Sequence, residues 1–132
     1  MSLMICVFTP KDIIYNDKIE ELILPCRNGQ VGILPGHITL FTVVDINILS
    51  FRRKNKLNWN VIVLIAGFAR VKHDQVIIFV NRAYTKNLVD PKKAEKSLKE
   101  AINYLNTMIR KLDKAKASLF FKSARAIYQI FQ

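Results

Sequence analysis

The chain has 132 residues, 51% hydrophobic and 23% charged, which is enough apolar content for one core and too much for a disordered chain. Its longest apolar run, Val61–Ala69, falls far short of the ~20 residues that cross a bilayer as a helix. The formal charge of +11 and the pI of about 9.9 invite an anionic partner, but 14 Lys, 10 Asn and 17 Ile, all with A/T-rich codons, offer codon drift as a second source of that charge.

Short apolar runs rich in Val, Ile and Phe fill the first two-thirds of the chain. Leu3–Phe8 stops at Thr9-Pro10, Ile19–Leu24 at Pro25 and Val31–Leu34 at Pro35-Gly36. Ile38–Val44, Ile46–Arg52, Trp59–Ala66, Phe68–Lys72 and Val76–Val80 follow, with hairpin turns expected at Asn55-Lys56 and His73-Asp74-Gln75. Many short strands at close spacing predict a sandwich or barrel. All four glycines and all four prolines lie at or before Pro91, and the period then becomes helical. Asp90 is the expected N-cap, with Pro91 at the first helical position, where a missing N–H costs nothing.

Ala94, Leu98, Ala101, Ile102, Leu105, Met108 and Ile109 form one apolar stripe at three- and four-residue spacing. Leu112, Ala115, Leu119, Ala124, Ile127 and Phe131 form a second. Forty residues of straight helix would span about 60 Å, more than so small a domain covers. An antiparallel helical hairpin turning within Thr107–Asp113 is therefore expected. The fold class is mainly β plus α: a flattened β-sandwich over residues 1–87, then a two-helix hairpin over 88–132. The charge is densest in the second part, with a net +6 over residues 90–132 against +5 over residues 1–89.

Chemistry-bearing motifs are sparse. Cys6 and Cys26 are too few for a disulfide framework, and Cys6, inside an apolar run, reads as a buried thiol. His37 and His73 stand 36 residues apart, so no metal-ligand spacing exists. No glycine-rich phosphate loop and no nucleophile elbow is present, which argues against an enzyme. The charge is not interleaved with aromatics as single-strand binders require, so a basic nucleic-acid-binding module is the alternative reading rather than the main one. The N-terminal residues read as a mature start, with neither a signal nor a transit peptide.

Asn28-Gly29-Gln30-Val31-Gly32-Ile33-Leu34-Pro35-Gly36-His37 resembles the NGxxGILPGH-type loop of the epsilon subunit of F-type ATP synthases. Cys6–Pro10, Val44–Leu49 (VDINIL) and Ala66–Val71 (AGFARV) resemble further segments of that family, in the same order. Asp90-Pro91 and then Ala94, Leu98, Ala101, Leu105, Lys111, Ala117, Leu119, Ala124 and Arg125 track its helical hairpin. The opening Leu3–Pro10 is closest to the plastid branch. The departures are Thr39 where proline is usual, Asn47 where glycine is usual, a more basic hairpin, and no glycine in the hairpin turn. An Asn at 47 is tolerable there because Asn accepts a left-handed backbone better than most residues.

The resemblance implies a non-catalytic central-stalk (rotor) subunit without cofactors. It would couple rotation of the c-ring to the gamma shaft and restrain ATP hydrolysis through the hairpin. It would sit peripherally on the stromal side of a plastid thylakoid or equivalent membrane, with no nucleic-acid partner. Arg27, Asn28, Gly29, Gln30, Pro35, Gly36, His37, Gly67 and Phe68 are the implied contacts with the c-ring and gamma. Lys111, Lys114, Lys116, Lys122 and Arg125 are the candidates for meeting acidic parts of the catalytic beta subunits. His37 is read as a residue that orders its loop by a hydrogen bond, and Gly67 either as a close approach to the shaft or as a strand bulge. Asp90–Ala94 matches a bacterial ATP-binding pattern only loosely, with Lys93 in an arginine place, so no ATP site is expected.

Overall fold

The computed structural model describes residues 2–27, 29–53, 55–86, 90–107 and 111–131, without the side chains of 105–107 and 111–116. Eight strands come first: β1 (Leu3–Phe8), β2 (Ile13–Ile19), β3 (Glu21–Cys26), β4 (Gly29–Ile33), β5 (Leu40–Val44), β6 (Asn47–Arg52), β7 (Trp59–Lys72) and β8 (Gln75–Tyr84). Two helices follow, α1 (Pro91–Thr107) and α2 (Lys111–Gln129). The expected sandwich-then-hairpin architecture is therefore present. The strands pair in the order β2-β1-β8-β7-β6-β3-β4, with β5 also on β7.

β7 organises both layers. Its first half pairs with β6 (Arg52 opposite Trp59, Asn47 opposite Leu64), and its second half pairs with β5 along the same edge (Val44 opposite Gly67, Leu40 opposite Val71). β8 runs along the other edge, with Val63 opposite Tyr84 and Lys72 opposite Gln75. Trp59–Ala66 and Phe68–Lys72, expected as two strands, are thus one strand of 14 residues. Ala66 interrupts it with a left-handed backbone, φ +50°. The register is the same on either side, so the chain kinks without inserting a residue and no bulge forms.

Gly67 lies inside this kink. A Cβ there would sit 2.0 Å from the Phe79 carbonyl oxygen and 2.7 Å from the Val80 Cα. Only a residue without a side chain lets the two backbones approach so closely.

Between the layers, Leu3, Ile5, Val7, Leu22, Leu24, Ile33, Leu49, Phe51, Leu64 and Ile78 are fully buried. They come from alternate positions of their strands, as a half-buried sheet requires. Cys6, on the other parity of β1, is only half-buried and faces away from the core, which corrects its reading as a buried thiol. β2 is the strand that sequence patterning misses. Its centre, Tyr15-Asn16-Asp17-Lys18, is polar because the strand lies at the sheet edge and pairs with β1 alone.

The turns follow local chemistry. Asn55 (φ +61°) and the pair His73-Asp74 (φ +50° and +60°) take left-handed backbones at the expected hairpins. Asn47 does not: it lies in β6 outside the left-handed region, and its side-chain oxygen accepts the Ile48 N–H at 2.8 Å. Its replacement of glycine therefore needs no left-handed tolerance. Arg52 clamps the β2–β3 corner to β6, with its guanidinium 3.0 Å from Glu20 and 2.9 Å from Glu21. The Glu21 hydrogen bond is the main cause that raises its pKa above the usual value. Such a group loses its stabilising charge only as pH rises through that raised value, so this clamp persists through the whole physiological range.

Asp90 caps α1 as expected. Its carboxylate accepts the Lys92 N–H at 3.0 Å and its carbonyl accepts the Ala94 N–H at 3.0 Å. The helices are separate elements, and residues 108–110, where the turn is expected, lie outside the described residues. Ala94 and Ala101 on α1 and Ala117 and Ala124 on α2 are buried. This small-residue seam brings the two helices close. Ala126 of α2 and Ile130 just past its end then pack on Val63, flanked by Ile46, Ile48, Val61 and Ile65, so the hairpin is folded down on the outer face of β6 and β7. Phe131 joins that patch, whereas Leu119, expected in the same apolar stripe, and Phe120 remain exposed. No helix of the described residues is long and apolar enough to cross a membrane.

Gly67→Ala is expected to destabilise the chain by about 1–3 kcal/mol, the usual range for overpacking. Urea denaturation followed by circular dichroism measures this, and a wild-type midpoint would refute the close approach.

Candidate functional site

The outer face of the β5–β7–β8–β1 layer carries a row of four phenylalanines. Phe41 stacks on Phe68 at 5.5 Å between ring centroids, Phe68 meets Phe79 at 5.6 Å, and Phe79 meets Phe8 edge-on at 5.0 Å. Register explains the row: Phe68 lies directly opposite Phe79, Phe79 opposite Phe8, and Phe41 diagonal to Phe68. These positions have the parity that points away from the core. Phe41 is 67% exposed, and Phe68, Val43 and Met4 are also exposed. An apolar face built so regularly marks an interaction surface rather than scattered exposure.

A turn stands beside this face. Leu34-Pro35-Gly36-His37 closes with the His37 N–H donated to the Leu34 carbonyl at 3.1 Å, and Gly36 takes φ +86°. Proline followed by a residue of positive φ is the signature of a type II turn. The Asp74 carboxylate reaches across from the β7–β8 turn to accept the Gly36 N–H at 2.7 Å. The Asp74 carbonyl accepts the Met4 N–H at 2.9 Å. One residue thus ties the β4–β5 loop, the β7–β8 hairpin and the start of β1 together. Sequence reading missed Asp74 because its partner is 38 residues away. His37 orders its own loop, with Nδ1 2.7 Å from the Ile38 carbonyl, and Ile38 is 78% exposed.

The expected site residues do not form one cluster. Arg27, Gly29 and Gln30 are exposed at the start of β4, and Pro35, Gly36 and His37 follow its other end. Val31, Gly32 and Ile33 of the strand, about 10 Å, and then Leu34 separate the two groups. Asn28 lies outside the described residues. Phe68 belongs to the aromatic row. Gly67 is accounted for within the fold by the approach of β8.

The basic candidates divide as well. Lys122 is exposed, and the guanidinium of Arg125 lies 5.5 Å from the Phe121 ring centroid, one helical turn away. The side chains of Lys111, Lys114 and Lys116 lie outside the described residues. By helix position 111, 114, 122 and 125 fall within one quadrant of α2, while 116 falls on another side. The Asp90–Ala94 segment lines a cleft of about 210 Å³ with Tyr84, Ala124 and Ile127. Among the described residues no group of three or more metal-ligating side chains occurs.

Residues 2–86 match the family model described as ATP synthase, Delta/Epsilon chain, beta-sandwich domain. The ATP synthase epsilon chain of Tupiella akineta, a chloroplastic one, is 39% identical over 130 residues, 98% of both chains. That of Prochlorococcus marinus is 40% identical over 96% of this chain and 95% of its own. This chain belongs to the ATP synthase epsilon-chain family. A structure of the Euglena gracilis mitochondrial ATP synthase contains a chain with the same fold, with a TM-score of 0.85 at 16% identity over 99% of this chain and 82% of that one. The matched stretch ends at residue 86, just past the last strand and before the helices.

Asp74→Ala should speed amide exchange at Gly36 severalfold, since a hydrogen bond to a charged acceptor contributes about 1.5–3 kcal/mol at most and less at an exposed site. Asp74→Asn should largely restore protection. NMR hydrogen exchange distinguishes the two, and no change in either variant would refute the tie.

Proposed function

We propose that this plastid-type epsilon chain acts in the rotor of a proton-translocating ATP synthase without carrying catalytic groups of its own. As an epsilon chain it is a central-stalk subunit of a complex that makes ATP. The observation that supports the role most directly is the aromatic row beside the Asp74-anchored turn. A regular apolar face with a rigid polar loop at its border suits a permanent contact between rotating parts, which must carry torque without sliding. In this reading residues 1–87 clamp the gamma shaft and the c-ring. Phe41, Phe68 and Ile38 meet gamma, and Arg27, Asn28, Gly29, Gln30, Pro35, Gly36 and His37 lie toward the polar loops of the c-ring.

Residues 88–132 form the regulatory part. The hairpin lies down on β6 and β7 through a small apolar patch, which favours a reversible dock. In the raised position the basic residues of α2 would approach the acidic surface of the catalytic beta subunits and restrain ATP hydrolysis. Single exposed ion pairs contribute only about 0–1 kcal/mol, so the restraint needs several of them and weakens with salt. The location consistent with this role is the stromal side of a thylakoid or equivalent plastid membrane, held there by the other subunits.

Tagging the chain and solubilising membranes gently tests the assignment. Alpha, beta, gamma and c subunits should co-purify at moderate salt, and Phe41→Ser should reduce recovery of gamma without lowering the stability of the isolated chain. Recovery of ribonucleoprotein in their place would overturn the rotor reading. Changing Lys114, Lys116 and Lys122 together to Gln should raise ATP hydrolysis by the assembled enzyme severalfold at low salt. Unchanged hydrolysis would remove the electrostatic brake and leave the torque role standing.

A further inference from the structure

A groove of about 420 Å³ opens beneath the β6–β7 hairpin, at the opposite end of β7 from the His73-Asp74 turn. Its walls include Tyr15, Phe51, Arg53, Trp59, Asn60 and Lys86, and among the described residues no acidic one lines it. The rotor contacts proposed above make no use of this end of the sandwich.

Arg53 is held in place from the core outward. Phe51 is buried among the core residues, and the Tyr15 ring packs on it at 4.6 Å between centroids. The Arg53 guanidinium lies over the Tyr15 ring at 5.5 Å from its centroid, and its Nε donates to the Tyr15 hydroxyl at 2.8 Å. Both terminal nitrogens remain without a partner among the described residues. The neighbouring Arg52 contrasts sharply, since it is matched to two carboxylates. A planar fork fixed in this way has already lost its side-chain freedom and is ready for a bidentate carboxylate. Lys86 adds a second positive charge on the groove wall. Trp59 is exposed beside Arg53, and Leu57 on the same hairpin is 92% exposed. Trp, Tyr and Arg grouped at one spot are the residue types that dominate protein interfaces.

We propose that this groove docks an acidic polypeptide segment, with a carboxylate on Arg53, a second acidic group near Lys86, and an apolar side chain against Trp59 and Leu57. A small anion would leave Leu57 uncovered. An anionic membrane would meet a projecting surface better than a concave one, and the polar Asn60 and Thr85 in the groove wall suit a peptide backbone. The proposal does not depend on the rotor reading, since it follows from the charge and shape of this end alone.

The full-length chain, carrying a photoreactive benzoylphenylalanine in place of Leu57, is expressed in its host and irradiated in intact membranes. Cross-linked peptides are then mapped by mass spectrometry. The expected product is a polypeptide segment rich in Asp or Glu. Its yield should fall about tenfold when Arg53→Glu and Lys86→Glu are combined, the equivalent of about 1.4 kcal/mol in affinity. Arg53→Lys should lower it by less, because the charge stays and only the fork is lost. Trp59→Ala should also lower it, and a thermal melt of each isolated variant confirms that the sandwich is intact. A cross-linked segment without acidic residues, a lipid or nucleic-acid adduct, no adduct, or a yield indifferent to charge reversal would each overturn the proposal. The same membranes, probed at position 41, report separately on the gamma contact, so failure at 57 leaves that reading untouched and failure at 41 leaves this one.

Discussion

The close passage of β7 against β8 at Gly67 is the constraint on which the rest of the structure hangs. β7 serves both layers because it kinks at Ala66 while its register with β8, β5 and β6 continues unbroken. The kink brings the Phe79 carbonyl to where a side chain on residue 67 would stand. From that bend follow the core between the layers, the aromatic row on the outer face of one half and the hairpin dock on the outer face of the other. A strand that ran straight would place these features on one flat sheet, with no enclosed core.

The two outer faces carry different chemistry, which suits the two different contacts proposed for them. The aromatic row is broad, regular and exposed, and its rings support each other across four strands. It suits a contact that is made once and kept. The hairpin dock is smaller and rests on Ala126, Ile130 and a few aliphatic neighbours. The helices hold each other through alanines, which pack closely yet bury little area per residue. A hairpin built in this way suits the proposed role, in which it would keep its own pairing while its dock on the sandwich releases.

Charge follows a similar division. Arg52 is neutralised by Glu20 and Glu21 and fastens a corner of the sandwich. Arg53, one residue on, is fixed by an aromatic ring and has no carboxylate partner among the described residues. The adjacent arginines therefore meet different surroundings: Arg52, the last residue of β6, faces the β2–β3 corner, and Arg53, just past the strand, packs on Tyr15. The net charge of the chain conceals that distinction, since it counts both alike.

Much of this was legible in the order of residues. The sandwich-then-hairpin division follows from the change of period near Asp90, because alternation and helical spacing are properties of the local chain. The caps and turns at Asp90-Pro91, Asn55, His73-Asp74 and Pro35-Gly36 are equally local, and each was recoverable from residue type. The family motif around Gly29–His37 was visible too, though not that its two ends lie apart along β4. Tertiary structure alone decided the rest. Edge strand β2 hides behind polar residues because only one neighbour needs to bury it. Asp74, the aromatic row and the fixed Arg53 each depend on residues distant in sequence meeting across strands. Sequence determines what each strand can present; only the kink in β7 decides which of those side chains come to stand together.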